Sequence, residues 1–246
     1  MQFLRPLQLA YRLLFPRCCC VCGERLQEGE PCICSGCFLN LPLTNLRGAK
    51  GNVLERIFWR RLPIVRATAY MRYLHKNPLR RPILAFKYYD RPDLAVFLGS
   101  VMAHDVVDDF FEGIDAIIPI PLSEERQHWR GYNQSEKLAE GIAKVAGLPI
   151  WSNCILRKAN AQSQTRLSDI ERQMNVMEVF DILAPEQLKG KHLLLVDDVF
   201  TTGATLYACA KQLSEIDGVR ISFMALALAR RIRLLHLLKR RQRLIE

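Results

Sequence analysis

HLLLVDDVFTTGATL, residues 192–206, runs an apolar segment into two carboxylates and then into a small, hydroxyl-rich turn. Leu193–Val196 carries no polar interruption, which fits a strand buried on both faces in a parallel sheet covered by helices. In such sheets ligands bind beyond the carboxyl ends of the strands, where Asp197 and Asp198 emerge. Thr201, Thr202, Gly203, Ala204 and Thr205 leave room for backbone N–H groups to point at an anion. The helix expected from Ala204 to Glu215 adds the favourable dipole of its N-terminus. The threonine hydroxyls can donate to the same phosphate, and the two acids at its edge suit a polyol such as ribose, whose hydroxyls need acceptors. Closing a strand and capping a helix needs only one Thr or Asp. An acid pair, three hydroxyls and a glycine in this order exceed that need.

Outward from this segment, strands and helices alternate. Val219–Leu228 is a second apolar strand, Ala116–Ile120 a shorter one, and Val65–Tyr73 is β-branched and aromatic enough to open the domain. Asn77 caps a helix with Pro78 at its first position, running to about Lys87. Arg91–Phe111 repeats the device with Pro92. Apolar residues recur at helical spacing from Gln134 to Val145, and Gly147 with Pro149 stops the run. The expected fold is therefore α/β, a mainly parallel sheet flanked by helices. Lys158–Asn175 is polar and weakly periodic, the composition of a loop over a site.

The 246 residues suffice for one such core and a small appendage. Seven of the nine cysteines fall between Cys18 and Cys37. Cys19-x-x-Cys22 and Cys34-x-x-Cys37 supply four thiolates with the spacing of a structural zinc site; Cys18, Cys20 and Cys32 are spare, so Cys20 or Cys32 could replace a neighbour. Residues 38–65 read as a basic, low-periodicity connection. The expected division is residues 1–65 (N-terminal amphipathic helix, zinc knuckle and basic linker) and residues 66–246 (main domain with a basic C-terminal helix). The net charge of +10 sits at the two ends, where it could meet nucleic acid or serve solubility. Trp59 among Arg56, Arg60 and Arg61 is either a stacking group or packed on the main domain. No stretch is long and apolar enough to span a membrane, and the expected location is the cytoplasm.

Residues 193–205 resemble the motif by which type I phosphoribosyltransferases bind phosphoribosyl pyrophosphate (PRPP), with Phe200 where that pattern usually has an aliphatic residue. Pro119-Ile-Pro-Leu122, Arg126, Arg130-Gly-Tyr-Asn-Gln134, Gln164-Thr-Arg-Leu167, Arg172, Asn175 and Leu14-Phe-Pro16 before a Cys-x-x-Cys resemble the ComF/GntX family of phosphoribosyltransferase-like proteins. The resemblance runs from about residue 14 to 229.

It implies a type I phosphoribosyltransferase-like fold that binds PRPP with Mg²⁺. Asp197 and Asp198 would lie on the ribose as the residues of catalysis and 201–205 on the 5′-phosphate. The turn after Ile120 would face pyrophosphate with Arg126 and Arg130 nearby, and Arg166 and Arg172 of the closing loop would contact phosphate. The family's link to competence implies a role in uptake or use of external DNA, with single-stranded DNA and DNA-processing proteins as partners. One reading is transfer of a phosphoribosyl group with release of pyrophosphate. The other is a non-catalytic, nucleic-acid-binding accessory protein that uses the fold as a ligand-binding or regulatory module.

Overall fold

The computed structural model describes residues 16–59, 62–158 and 180–229. The expected terminal helices, Arg60, Arg61, and Arg166 and Arg172 of the polar loop lie outside them. Four parallel strands make the sheet, in the order β1–β6–β5–β2: β1 (Ile64–Tyr73), β2 (Ala116–Pro119), β5 (His192–Phe200) and β6 (Arg220–Ala229). A separate antiparallel pair joins β3 (Ile155–Arg157) to β4 (Phe180–Ile182). Helices are α1 (Ser35–Leu39), α2 (Val53–Phe58), α3 (Arg81–Tyr88), α4 (Pro92–Asp105), α5 (Glu124–Arg130), α6 (Gln134–Ala146), α7 (Pro185–Leu188) and α8 (Ala204–Ser214).

The uninterrupted apolar run of β5 is explained by burial on both sides. Leu194 and Val196 pack with α3, α4, α6 and the cysteine knuckle, whereas Leu193 and Leu195 pack with α2, α8 and β3. The mainly parallel, helix-flanked α/β sheet expected from the sequence is present. The strand extends past the two acids, however, pairing Asp197 with Ala225 and Phe200 with Leu228. The long helix expected from Arg91 to Phe111 ends at Asp105 and is followed by a short 3₁₀ turn at Asp108–Phe111. Asn77 does cap, accepting from the Leu79 N–H, but Pro78–Arg80 is 3₁₀ before α3 begins.

The segment read as a linker is built into the body. Asn52 caps α2 by accepting from the N–H groups of Leu54 and Glu55, and Leu54 and Phe58 are buried against the sheet. Arg66 is buried too; its guanidinium donates to the Gly48 carbonyl and both Asp109 oxygens. The Arg47 Nε donates to the Asp105 carbonyl at 2.9 Å. Arg66 therefore serves the fold rather than a basic surface, while Arg47 stays exposed. Among the described residues no helix is long and apolar enough to cross a membrane.

Helices α4 and α6 meet through bare backbone. A Cβ on Gly141 would lie 2.0 Å from the Val96 carbonyl oxygen, and one on Gly99 would lie 2.1 Å from that of Leu138. This contact fixes the helix that carries Ser135 beneath the acid pair. Gly141→Ala is expected to destabilise the protein by about 1–3 kcal/mol in chemical denaturation. Gly36→Ala, with open space at its Cβ position, should be neutral or slightly stabilising; equal effects would contradict the close-contact account.

Candidate functional site

The carboxyl ends of β5 and β2 open into a cleft of about 340 Å³, lined among others by Lys87, Arg126, Arg130, Arg157, Asp197 and Asp198. Acids at the end of a buried strand must be compensated, and each is held differently. The Asp198 Oδ2 lies 2.7 Å from Lys87 Nζ, with both side chains largely buried. The Asp197 Oδ1 accepts from the Asp198 N–H at 2.8 Å and from the Ser135 hydroxyl at 3.3 Å. Burial first, and then the charge of Asp198, raises the Asp197 carboxyl to about 7, against the pull of the Asp198 N–H, Lys87 and Ser135.

The turn after β5 is shaped by Gly203 and Phe200. Gly203 is left-handed at φ 80°, and a Cβ there would lie 2.7 Å from the tip of the Phe200 ring. Phe200 is itself buried, edge-on to Phe58 and tilted against Phe223. The aromatic departure from the motif thus fills the space under the turn, and glycine is required both by the backbone and by that ring. Thr201 and Thr205 line the cleft, Thr202 and Ala204 are exposed at its rim, and the Thr202 hydroxyl accepts from the Ala204 N–H at 3.3 Å. Helix geometry leaves the first N–H groups of α8 without acceptors inside the helix, and that of Ala204 is taken by Thr202.

Arg130–Ser135 form the scaffold on the opposite wall. Gly131 is left-handed and ends α5. Arg130 donates to the Gln134 side chain at 2.8 Å, and its Nε is buried without a hydrogen-bond partner. The Tyr132 hydroxyl donates to the Phe86 carbonyl on α3. Asn133 donates to the Ile120 carbonyl at 3.2 Å while accepting from the Ser135 N–H, so it fixes the turn after β2 and caps α6 in one step. The sequence motifs name Arg126 and Arg130-Gly-Tyr-Asn-Gln134 of this wall, and give a role to the two arginines alone. Lys87, Arg157 and Ser135 were missed; the one available signal was a run of polar residues, Asn133–Ser135, opening an otherwise amphipathic helix. Burial, and then Arg126, lowers the Arg157 guanidinium's pKa, with Asp197 opposing.

In the cysteine knuckle, the Sγ atoms of Cys19, Cys22, Cys34 and Cys37 lie within 4.8 Å of one another. These are the four read from the spacing, and they could hold a metal such as zinc. Burial raises the Cys19 thiol, but N–H groups of Cys34, Cys22 and Val21 outweigh it and bring it down to about 6. Cys18, which is exposed, and Cys20 and Cys32 lie outside that set of four. Trp59 is 58% exposed with the Arg56 guanidinium 5.6 Å from its ring, so it is not packed into the main domain.

No protein-family model matches the chain. The DNA utilization protein YhgH of Escherichia coli O157:H7 is 30% identical over 201 residues, 79% of this chain and 83% of that one. The chain belongs to the ComF family. Another ComF relative, Competence protein F of Haemophilus influenzae, is 34% identical over 116 residues, 47% of this chain and about half (51%) of that protein's length. Among solved structures, glutamine PRPP amidotransferase from B. subtilis, complexed with ADP and GMP, is 19% identical, covering 57% of this chain and 30% of that one at a TM-score of 0.39.

A carboxyl whose folded pKa lies above its unfolded value near 3.9 favours the folded state when protonated, so stability falls as pH rises from about 4 to about 7. Asp197→Asn removes that cost. The melting temperature should rise by roughly 2–5 °C at pH 8, with the gain shrinking toward pH 5. A loss of stability at pH 8 would show that Asp197 is not the strained member of the pair.

Proposed function

We propose that the cleft binds PRPP with Mg²⁺ on a type I phosphoribosyltransferase-like domain, in a cytoplasmic protein that serves the uptake or use of external DNA. The observation that carries the reading is the joining, in one cleft, of an acid pair and a helix-start phosphate turn with three arginines on the facing walls. Asp197 and Asp198 accept from the ribose hydroxyls, and the backbone of Thr201–Thr205 takes the 5′-phosphate. The turn after Ile120 faces the pyrophosphate, with Arg126 and Arg130 as its cations. Arg157 joins them. The carboxylate and hydroxyl oxygens are hard donors suited to Mg²⁺, directly or through its water. Bound there, the ion neutralises charge on the pyrophosphate.

In a transfer reaction a nucleophile forms a bond to C1 of the ribose as the C1–O bond to pyrophosphate breaks, through an oxocarbenium-like state. The protein's contribution is positioning and electrostatics, not a base: Asp197 and Asp198 hold the sugar while the arginines face the departing charge. Lys87 pairs with Asp198, so a ribose hydroxyl on Asp198 shares that carboxylate with the lysine or displaces it. The DNA link comes from the names of the relatives, a DNA utilization protein and a competence protein. Single-stranded DNA and DNA-processing proteins are the partners this implies. A second reading, a nucleic-acid-binding accessory protein without turnover, is favoured by the exposed Trp59 under Arg56.

Titration calorimetry of PRPP with Mg²⁺ should show binding to the wild type and at least about tenfold weaker binding to the Asp197→Asn/Asp198→Asn double variant. Equal binding by both would place the ligand elsewhere. We assign zinc to the four-cysteine cluster. One zinc per chain is expected by metal analysis, and Cys22→Ser should lose it and lower the melting temperature, because the knuckle is too small to hold its shape by burial alone. A zinc-free wild type of unchanged stability would overturn that assignment.

A further inference from the structure

Just outside the acid pair, the cleft rim carries large aromatic surface that the fold does not use. Trp129 on α5 is 69% exposed and Tyr88 at the end of α3 is 50% exposed. Their ring centroids are 5.7 Å apart at 62°, an edge-to-face pair that leaves ring faces open. The Arg130 guanidinium lies 5.6 Å from the centre of the Tyr88 ring, with its Nε buried and unpartnered. Tyr88 and Arg130 both line the cleft that holds Asp197, Asp198, Arg126 and Arg157. Exposing two large rings beside a guanidinium sacrifices burial that either ring could have gained in the core. The polar neighbours of Trp129 on its own helix, Glu124, Glu125, Gln127 and His128, are all exposed. Apart from Tyr89, itself exposed beside Tyr88, they give the pair a polar surround, unlike the apolar centre of a protein-docking face.

We propose that Trp129 and Tyr88, steadied by Arg130, form a stacking subsite for a nucleobase at the mouth of the cleft. A planar ring offers a face to the indole, and a phosphate or ribose attached to it faces the arginines and acids of the cleft that Tyr88 lines. Stacking on aromatic rings and arginine planes is tolerant of base identity, because every base has a π-face. The subsite therefore selects the class, a purine or pyrimidine ring, and not one member. This inference rests on the phosphoribosyl reading for what the base is joined to, and it names the kind of group brought to that site. The base can arrive free, as a nucleotide, or as part of a single strand.

The test follows Trp129 fluorescence in the full chain carrying Trp59→Phe and Trp151→Phe, so that one indole reports. Adenine, AMP, ribose 5-phosphate, a short oligodeoxythymidylate and its abasic counterpart are titrated separately. Quenching by base-bearing probes and none by their base-free counterparts is expected. A response to adenine or AMP assigns a small-molecule base, and a response to the oligonucleotide alone assigns a base carried on a strand. In calorimetry, Trp129→Leu should weaken the base-bearing probe by about tenfold while leaving PRPP affinity within about twofold. Because Trp129 is exposed, that variant keeps its fold. Indistinguishable binding of base-bearing and abasic probes, or base binding untouched by Trp129→Leu, would overturn the subsite. Failure of PRPP to bind the wild type with the base response intact would instead overturn the phosphoribosyl reading and leave the subsite supported.

Discussion

Two adjacent carboxylates at the end of an apolar strand are the constraint around which this molecule is arranged. Leu193, Leu194, Leu195 and Val196 are fully buried, so β5 delivers Asp197 and Asp198 to the cleft at its carboxyl end. Burying them unpaired would cost several kcal/mol per charge. The structure answers with a lysine from α3 for one acid and a hydroxyl from α6 plus a backbone N–H for the other. Compensation is incomplete at Asp197, where burial still favours the protonated form. Carboxyls shifted in this way by burial and a neighbouring charge cluster at functional sites.

The supports of that pair reach far into the fold. Helix α3 places Lys87 over Asp198 at one end, and at the other its Arg81 donates to the Val21 carbonyl inside the cysteine knuckle. The knuckle's Cys19, Val21, Cys32 and Ile33 share a buried cluster with α3 and α4. Its four-cysteine cluster is therefore mechanically continuous with the helix that neutralises the site. On the far side, the backbone contact of Gly99 and Gly141 sets the height of α6, and with it the reach of Ser135.

The parts legible in the sequence were those whose signal is local. The β5 run, the acid pair, the glycine turn, the proline-started helices and the two Cys-x-x-Cys pairs each carry their own chemistry within a few residues. Helix α5 escaped because Glu124–Arg130 has no apolar face; it is held by its ends and by the Arg130–Gln134 hydrogen bond. Strands β3 and β4 are three residues each and pair only with one another, too short for a period to show. Lys87 and Arg157 looked like ordinary surface cations, since what makes them part of the cleft is the docking of α3 and β3, a tertiary fact. The basic connection misled for a related reason: Arg66 is buried and spent on the Gly48 carbonyl and Asp109, which charge counting cannot reveal.

The most direct test of a phosphoribosyl site at the end of β5 is a crystal structure of the protein grown with PRPP and Mg²⁺. The account predicts the 5′-phosphate on the backbone of Thr201–Thr205, the ribose hydroxyls on Asp197 and Asp198, and Lys87 drawn off its present partner. Ligand bound elsewhere, with Lys87 still on Asp198 and the turn empty, would contradict it.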